Sequence, residues 1–204
     1  QDGPVRQSLT WTTEFGNQSE LAVTLSLNRG ERRLCLDIAA KWQEIGSART
    51  GVPQLNLLLP VPYACPYFQY DIPMGTIKRE PHHFDVPAGS YALAANSSGR
   101  SLMLVSDSKY GFRGSEEGLS VTLIRSSFDP DPWPEVGAHQ IRLAIALTDG
   151  GRDAEQIARS FCHPFSTVAM RRPQTGSLPL RRSLCRLIDG ETCLSAVKLA
   201  EDGK

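Results

Sequence analysis

The chain has 204 residues, of which 40% are hydrophobic and 22% are charged, a balance typical of a folded globular protein rather than a disordered one. Its 22 basic and 22 acidic side chains give a formal net charge of zero, which argues against non-specific nucleic-acid binding and against binding to an anionic membrane surface. No apolar run approaches the roughly 20 residues that a membrane-spanning helix needs. At this length we expect one domain of β-sandwich size, or one domain with a piece of another.

Alternating apolar and polar residues predict a series of half-buried β-strands, because successive side chains of a strand point to opposite faces. In chain order, this alternation predicts strands at 9–13, 21–27, 34–38, 102–105, 119–124 and 140–147. Turn residues separate the strands at a spacing typical of an antiparallel sandwich. Ten of the 14 prolines lie in 50–90 and 130–134. Because proline lacks the N–H that a central strand needs, we expect long connections or edge strands in these stretches.

One helix is predicted at about 152–161, where apolar residues recur at helical spacing and acidic residues occupy the first turn. The next stretch, 165–181, is rich in Pro, Gly and Arg and is interpreted as a linker. Two further strands, 183–188 and 192–199, are predicted to form a hairpin across an Asp-Gly turn.

These elements predict three parts of the chain: a main β-sandwich over 1–164, a linker over 165–181 and a C-terminal hairpin over 182–204. Two strands alone do not form a stable domain. The hairpin is therefore expected to dock elsewhere or to belong to a truncated second β-module.

The cysteines are predicted to be reduced thiols, mostly buried as small apolar side chains. Their number is odd and no CxxC spacing occurs, which is atypical of a disulfide framework. They are Cys35, Cys65, Cys162, Cys185 and Cys193. The chain begins at Gln1 without an initiator methionine or a visible secretory signal, which predicts processing or excision from a longer protein.

The sequence contains no nucleophile elbow, phosphate-binding loop or dinucleotide-binding motif. A local His/His/Asp group occurs at His82, His83 and Asp85. Neighbouring residues on an extended chain point to opposite faces, so this group is a poor candidate metal site. We therefore predict no metal site at this group.

The densest polar stretch lies between two predicted strands, at 125–139. Its functional side chains are Arg125, Asp129, Asp131, Trp133, Glu135 and His139. A tryptophan beside carboxylates and an arginine suits sugar recognition, because the ring packs on an apolar sugar face while planar polar groups hydrogen-bond. Paired carboxylates could also hydrolyse a glycoside.

Two plainer interpretations of this stretch stay open. Its Asp residues could simply satisfy local backbone N–H groups in a polar connection. A calcium site would use Asp129, Asp131 and Glu135, but Ca²⁺ takes six to eight oxygen ligands, so backbone oxygens would have to supply the rest.

Seven segments occur in the same order, and with similar gaps, as in one known family. They are 36–38 with 41–44, 70–79, 84–88, 105–112, 119–131, 137–139 and 194–203. Together they resemble the C-terminal β-rich region of glycoside hydrolase family 38 α-mannosidases, most closely the bacterial and cytosolic-type members. The resemblance implies an all-β fold, an antiparallel β-sandwich forming part of a galactose-mutarotase-like supersandwich, with one short helix and a C-terminal hairpin.

The resemblance also implies an incomplete enzyme. In the family, an upstream catalytic domain carries a zinc ion and the two Asp residues, nucleophile and acid/base, of a retaining mechanism. This chain is then a non-catalytic part of an α-mannosidase, holds no cofactor of its own and is inactive alone. The implied partners are an α-mannoside oligosaccharide and the catalytic domain, and the implied location is the cytoplasm.

Family members place a hairpin from this region near the sugar site, and the arginine after the 119–124 strand is Arg125 here. The resemblance implies that Arg125 hydrogen-bonds sugar or adjacent backbone as a fixed fork. The same connection contains three further candidates for substrate binding, Asp129, Asp131 and His139. Alternatively, Arg125 pairs with Asp129 or Asp131 and locks the loop.

A second hypothesis is a stand-alone carbohydrate-binding or interaction module that shares only the sandwich. The apolarity of the surface distinguishes the two. Part of a larger enzyme should expose an apolar patch beyond the few hundred Å² usual for a monomer, whereas a stand-alone module should not.

Overall fold

The computed structural model describes residues 2–131, 133, 135–169, 176, 177, 179, 181–183, 185, 186, 188 and 196–203. The chain divides into two compact units, Gln1–Phe165 and Ser166–Lys204. The described residues of the second unit form no strand or helix. The hairpin predicted over 182–204 falls largely on residues outside the described set, and it stays a prediction together with the linker.

Antiparallel strands and one helix build the first unit. In chain order they are β1 (Arg6–Phe15), β2 (Ser19–Asn28), β3 (Arg33–Trp42), β4 (Gln54–Leu59), β5 (Phe68–Ile72), β6 (Gly75–Arg79), β7 (Val86–Pro87), β8 (Tyr91–Ala94), β9 (Ser101–Ser106), β10 (Gly111–Ser115), β11 (Gly118–Arg125), β12 (Gly137–Thr148) and α1 (Gly151–Cys162). The large sheet has the strand order β1-β2-β3-β12-β9-β8-β5-β6, and the small sheet has the order β4-β11-β10-β7. The predicted all-β antiparallel sandwich with one helix is confirmed.

The main core lies between the two sheets. Large-sheet residues such as Leu36, Ile141 and Leu143 pack with small-sheet residues such as Phe112 and Val121, and all five are almost fully buried. We call the face that each sheet turns toward this core its inner face. Alternate residues of each strand then point to the outer face, as the period of two requires.

The helix covers part of the outer face of the large sheet. Ala154, Ala158 and Phe161 of α1 pack on a second buried cluster that includes Met103 and Ala144. The molecule therefore has three layers in this region: the small sheet, the large sheet and the helix. None of the helices that the structure describes is long and apolar enough to cross a membrane.

The proline-rich stretch 50–90 contains four strands rather than long connections alone. Three of them, β4, β6 and β7, are edge strands, which fits the alternative prediction for this stretch. The fourth, β5, lies inside the large sheet and contains no proline. Pro73 instead occupies the two-residue turn between β5 and β6.

The four cysteines that the structure describes are free thiols. Cys35, Cys65 and Cys162 are half-buried and Cys185 is exposed, so the expectation of mostly buried thiols is too strong. Burial raises the thiol pKa of each of the three half-buried cysteines. These three groups are therefore poor nucleophiles near neutral pH.

Candidate functional site

Arg125 is the last residue of β11 and lies on the outer face of the small sheet. It pairs in register with Gln54, the first residue of β4. Leu123 and Ile124 are both buried because the register shifts between Thr122 and Ile124, as at a β-bulge. The Arg125 side chain is exposed and forms no ion pair with Asp129 or Asp131, so the loop-locking alternative does not hold.

The connection after Arg125 crosses from the small sheet to the large one. Its first residue, Ser126, is buried, and its hydroxyl accepts a 2.5 Å hydrogen bond from the indole N–H of Trp42. The Asp131 carboxylate accepts a 2.9 Å hydrogen bond from the backbone N–H of Trp133, while Asp129 is exposed. Asp131 therefore has the local turn role that the plainer interpretation assigns to it.

His139 lies on a different face from Arg125. It is paired with Ala40 in the β3–β12 ladder, and Ala40 belongs to the main core, so His139 is on the inner face of the large sheet. One ring nitrogen, Nε2, lies 2.7 Å from the backbone oxygen of Glu135. The sheet registers thus place Arg125 and His139 on opposite sides of the small sheet and do not bring them together.

A group of polar side chains surrounds Thr122 on the outer face of the small sheet. The group, here named the small-sheet cluster, consists of Gln54, Asn56, Asp85, Arg113 and Thr122. Four of its distances define it: Gln54 Nε2 to Thr122 Oγ1 is 2.7 Å, Gln54 Nε2 to Asn56 Oδ1 is 2.8 Å, Thr122 Oγ1 to Asp85 Oδ2 is 2.6 Å, and Arg113 Nε to Asp85 Oδ1 is 2.9 Å.

The donors and acceptors of the small-sheet cluster determine which groups stay available. The single hydroxyl proton of Thr122 goes to the carboxylate of Asp85, and the Gln54 amide donates to Thr122 and Asn56. This assignment leaves the amide oxygen of Gln54 and the amide nitrogen of Asn56 without a hydrogen bond to any described residue. Both groups are held in place by their bonded atoms and can bind a polar ligand with little further loss of entropy.

Arg125 lies at the edge of this polar surface and extends it. Gln54 belongs to the small-sheet cluster and pairs directly with Arg125 across β4 and β11. Gly111, also beside Thr122, contributes no side chain, and a Cβ there would lie 3.7 Å from the Thr122 side chain. The surface therefore combines a flat floor, two free amide groups and an exposed guanidinium, which is the chemistry that recognises vicinal hydroxyls.

Four of the five cluster residues were not predicted as site residues from the sequence. The fifth, Asp85, was considered only as part of a poor candidate metal site. A signal existed in Gln54-Leu55-Asn56-Leu57, where polar and apolar residues alternate as in a half-buried strand. The nearby prolines obscured it.

His82, the other part of that motif, stacks on Phe84 at 4.4 Å between ring centroids and on Tyr70 at 6.3 Å. Its ring nitrogens are buried and have no hydrogen-bond partner in the part of the chain that the structure describes. No group of three or more His, Cys, Asp or Glu side chains in that part could hold a metal ion. The described residues therefore do not fit the zinc ion that the resemblance implies elsewhere in the enzyme.

Fold and cluster together define an antiparallel β-sandwich whose outer sheet face carries a preorganised polar surface. Comparison with protein families is more specific. The family model "Glycosyl hydrolases family 38 C-terminal domain" matches residues 1–133. The chain belongs to this family.

Solved structures agree on the fold. An α-mannosidase from Enterococcus faecalis V583 is similar with a TM-score of 0.54 and 11% identity, over 64% of this chain and 16% of that one. A glycosyl hydrolase family 38 protein from Enterococcus faecalis gives a TM-score of 0.53 and 14% identity over the same shares. The chain thus spans about a sixth of the length of these proteins. Comparison with curated proteins gives no significant match.

Proposed function

We propose that this chain is the non-catalytic β-sandwich part of an α-mannosidase that hydrolyses α-linked mannose from oligosaccharides. It packs on the catalytic domain and lines one side of the sugar site with the outer face of its small sheet. The single observation that carries this proposal is the position of Arg125, the residue that the family resemblance selects, directly beside the preorganised small-sheet cluster.

The sugar contacts follow from the free groups of this surface. The Asn56 amide nitrogen and the Arg125 guanidinium are donors, and the Gln54 amide oxygen is an acceptor, so neighbouring hydroxyls of one mannose residue can both be satisfied. Asp85 orients Thr122 and Arg113 and thereby holds the surface in position. Asp129, Asp131 and His139 are weaker candidates for sugar contact, since Asp131 already binds Trp133 and His139 lies on another face.

Bond cleavage belongs to another part of the enzyme in this proposal. Zinc and the two carboxylates of a retaining mechanism lie in the catalytic domain, where zinc would help to bind and orient the mannose. This chain binds and orients sugar and takes no part in proton transfer or nucleophilic attack.

Exposed apolar side chains support packing against further protein. They lie on the inner face of the large sheet, at the edge strand β1 that the small sheet does not cover. Leu9 and Trp11 of β1 share this face with Val23 and Leu25 of β2. Leu9 is 65% exposed and Trp11 is 43% exposed. The exposed group favours a part of a larger enzyme over a stand-alone module. The free thiols of the described cysteines support a cytoplasmic location.

The test uses the complete gene product with an α-linked mannobiose as substrate. Arg125→Ala should raise KM by about tenfold with a smaller change in kcat, because a hydrogen bond from a charged group contributes about 1.5–3 kcal/mol. Asn56→Ala should raise KM by a smaller factor.

Arg29→Ala is the matched control, since Arg29 is exposed in the turn between β2 and β3. Equal KM values for the Arg125 and Arg29 variants would contradict the role of the small-sheet face. A complete gene product without activity on any α-mannoside would contradict the proposed function itself.

A further inference from the structure

A second polar site lies on the outer face of the large sheet, where α1 ends. It is a pocket of about 240 Å³. Its polar and aromatic lining includes Arg6, Ser26, Arg33, Asp37, Arg142 and Phe161. Nothing in the proposed function uses this pocket, which is on the opposite side of the large sheet from the small sheet.

The charges that line the pocket are unbalanced. Three guanidinium groups face one carboxylate, that of Asp37. The Asp37 oxygens lie 3.6 Å from Arg6 and 3.8 Å from Arg142, at the outer limit of an ion pair and beyond hydrogen-bond length. A single carboxylate at these distances leaves most of the arginine N–H groups without an acceptor.

Two of the three arginines are held in place by contacts with α1. The guanidinium of Arg142 lies 4.9 Å from the centroid of the Phe161 ring, and the guanidinium of Arg33 lies 5.7 Å from it. Both are cation–π distances. Arg33 also donates a 2.5 Å hydrogen bond to the hydroxyl of Ser160. Arg33 and Arg142 are therefore preorganised, and Arg6, whose side chain is 53% exposed, donates a 2.9 Å hydrogen bond to the Ser26 hydroxyl.

One buried donor has no hydrogen bond. The Nε of Arg33 lies 3.2 Å from Glu31 Oε2, but it makes no hydrogen bond to any described residue. The Arg33 side chain is only 16% exposed, so water satisfies this nitrogen less readily than it would a surface group.

Two carboxylates outside the lining bring the charges around the three arginines to three positive and three negative. Glu31 accepts from Arg33, and Asp107 accepts from Arg142 at 3.2 Å. A plainer account is a ladder of alternating charges across the strands, Arg6–Asp37–Arg142–Asp107, that only stabilises the sheet. The ladder leaves the remaining arginine donors and the volume of the pocket unexplained.

We propose that this pocket binds a phosphate group, as the free ion or as a phosphate ester of a small sugar. Guanidinium groups donate paired N–H groups to phosphate oxygens, and the Ser26 hydroxyl, which accepts from Arg6, has a proton left to donate. The site is independent of sugar binding at the small-sheet face, so it stands or fails separately from the proposed function.

The test measures the midpoint of thermal unfolding of the 204-residue chain with increasing inorganic phosphate, at constant ionic strength set with sodium chloride. A parallel series uses a hexose 6-phosphate, and tighter binding of the ester than of the free ion would assign the site to an ester. Phosphate should raise the midpoint in a saturable manner. A midpoint that follows ionic strength alone would overturn the proposal.

Three variants separate binding in the pocket from general charge effects. Arg6→Gln changes a side chain that is 53% exposed, and it should weaken phosphate binding about tenfold. Arg49→Gln, in an exposed turn outside the pocket, removes the same charge and should leave binding unchanged. Asp37→Asn removes the carboxylate of the lining and should tighten binding. Equal effects of the two arginine variants, or weaker binding in Asp37→Asn, would overturn the proposal.

Discussion

The hydrogen bond from the Trp42 indole to Ser126 joins the end of β3 to the connection that follows β11. Both residues are almost fully buried, and the distance is 2.5 Å. Ser126→Ala leaves a buried indole N–H without an acceptor. The free energy of unfolding should therefore fall by about 1–3 kcal/mol, as measured by urea denaturation.

Ser127→Ala is the control for that prediction. The Ser127 hydroxyl donates to the backbone oxygen of Asp129 at 3.0 Å and is not enclosed by the core. Its loss should change the free energy of unfolding by less than about 0.5 kcal/mol. Equal destabilisation by the two variants would show that the Trp42 contact has no special role.

Arg125 and its neighbours show how much of the candidate sugar-binding surface can be predicted from the sequence. Arg125 was selected through the family resemblance, and it lies exposed at the end of β11. Its neighbours Gln54 and Asn56 are about 70 positions earlier in the chain, and only the β4–β11 register brings them beside it. Long-range strand pairing of this kind leaves no local trace in a single sequence.

At the scale of the element, the first turn of α1 is fixed by Asp153. Its carboxylate accepts from the Thr148 hydroxyl at 2.9 Å and from the Asp149 backbone N–H at 3.1 Å, and it pairs with Arg32. Burial acts to raise the pKa of Asp153, but these hydrogen bonds and the Arg32 guanidinium outweigh it, and the pKa lies below its usual value.

Asp153→Asn should therefore destabilise the fold in a pH-dependent manner. Because the pKa is lowered in the folded state, the carboxylate stabilises the protein above its unfolded pKa of about 3.8, and this stabilisation is lost as the pH falls through the folded value. At pH 7 the variant should be less stable by about 1 kcal/mol, the size of a helix cap. The difference should shrink below pH 4 in urea unfolding experiments.

Glu155→Gln serves as the control on the same helix. Glu155 pairs with Arg159 at 2.9 Å on an exposed face, and such pairs contribute only about 0.3–0.5 kcal/mol. A pH-independent difference between wild type and Asp153→Asn would contradict the assigned role of Asp153.

The elements themselves were predicted with uneven success, for a physical reason. Strands such as β2 and β12 have one buried and one wetter face, so their apolar residues alternate and the pattern predicts them. The strand β8 is buried on both faces, and its sequence Tyr91-Ala92-Leu93-Ala94 has no alternation to detect. The helix was predicted to within one residue at each end because its apolar face packs on a single layer.

At the scale of the whole molecule, the large sheet extends beyond the small one. We expect Leu9→Ser combined with Trp11→Ser to reduce self-association of the 204-residue chain while changing the free energy of unfolding by about 1 kcal/mol or less. Analytical ultracentrifugation and urea unfolding measure the two effects. In the complete gene product, the same pair should lower the thermal unfolding midpoint if this face packs on further protein, as the proposed function requires.

Tyr110→Ser is the matched control, since Tyr110 is 59% exposed in the loop between β9 and β10 and belongs to neither proposed interface. It should leave self-association unchanged. Equal behaviour of the Tyr110 variant and the double variant would contradict the assignment of a docking face to β1 and β2.

The most direct test of the account is hydrolysis of an aryl α-mannoside, measured in parallel for this 204-residue chain and for the complete gene product, with zinc supplied to both. We predict activity in the complete gene product and none in the chain alone, because the proposed function gives this chain a sugar-binding role and leaves the nucleophile and acid to another domain. Hydrolysis by the chain alone would contradict the account, and Asp129, Asp131 and Glu135 would then be the first residues to substitute.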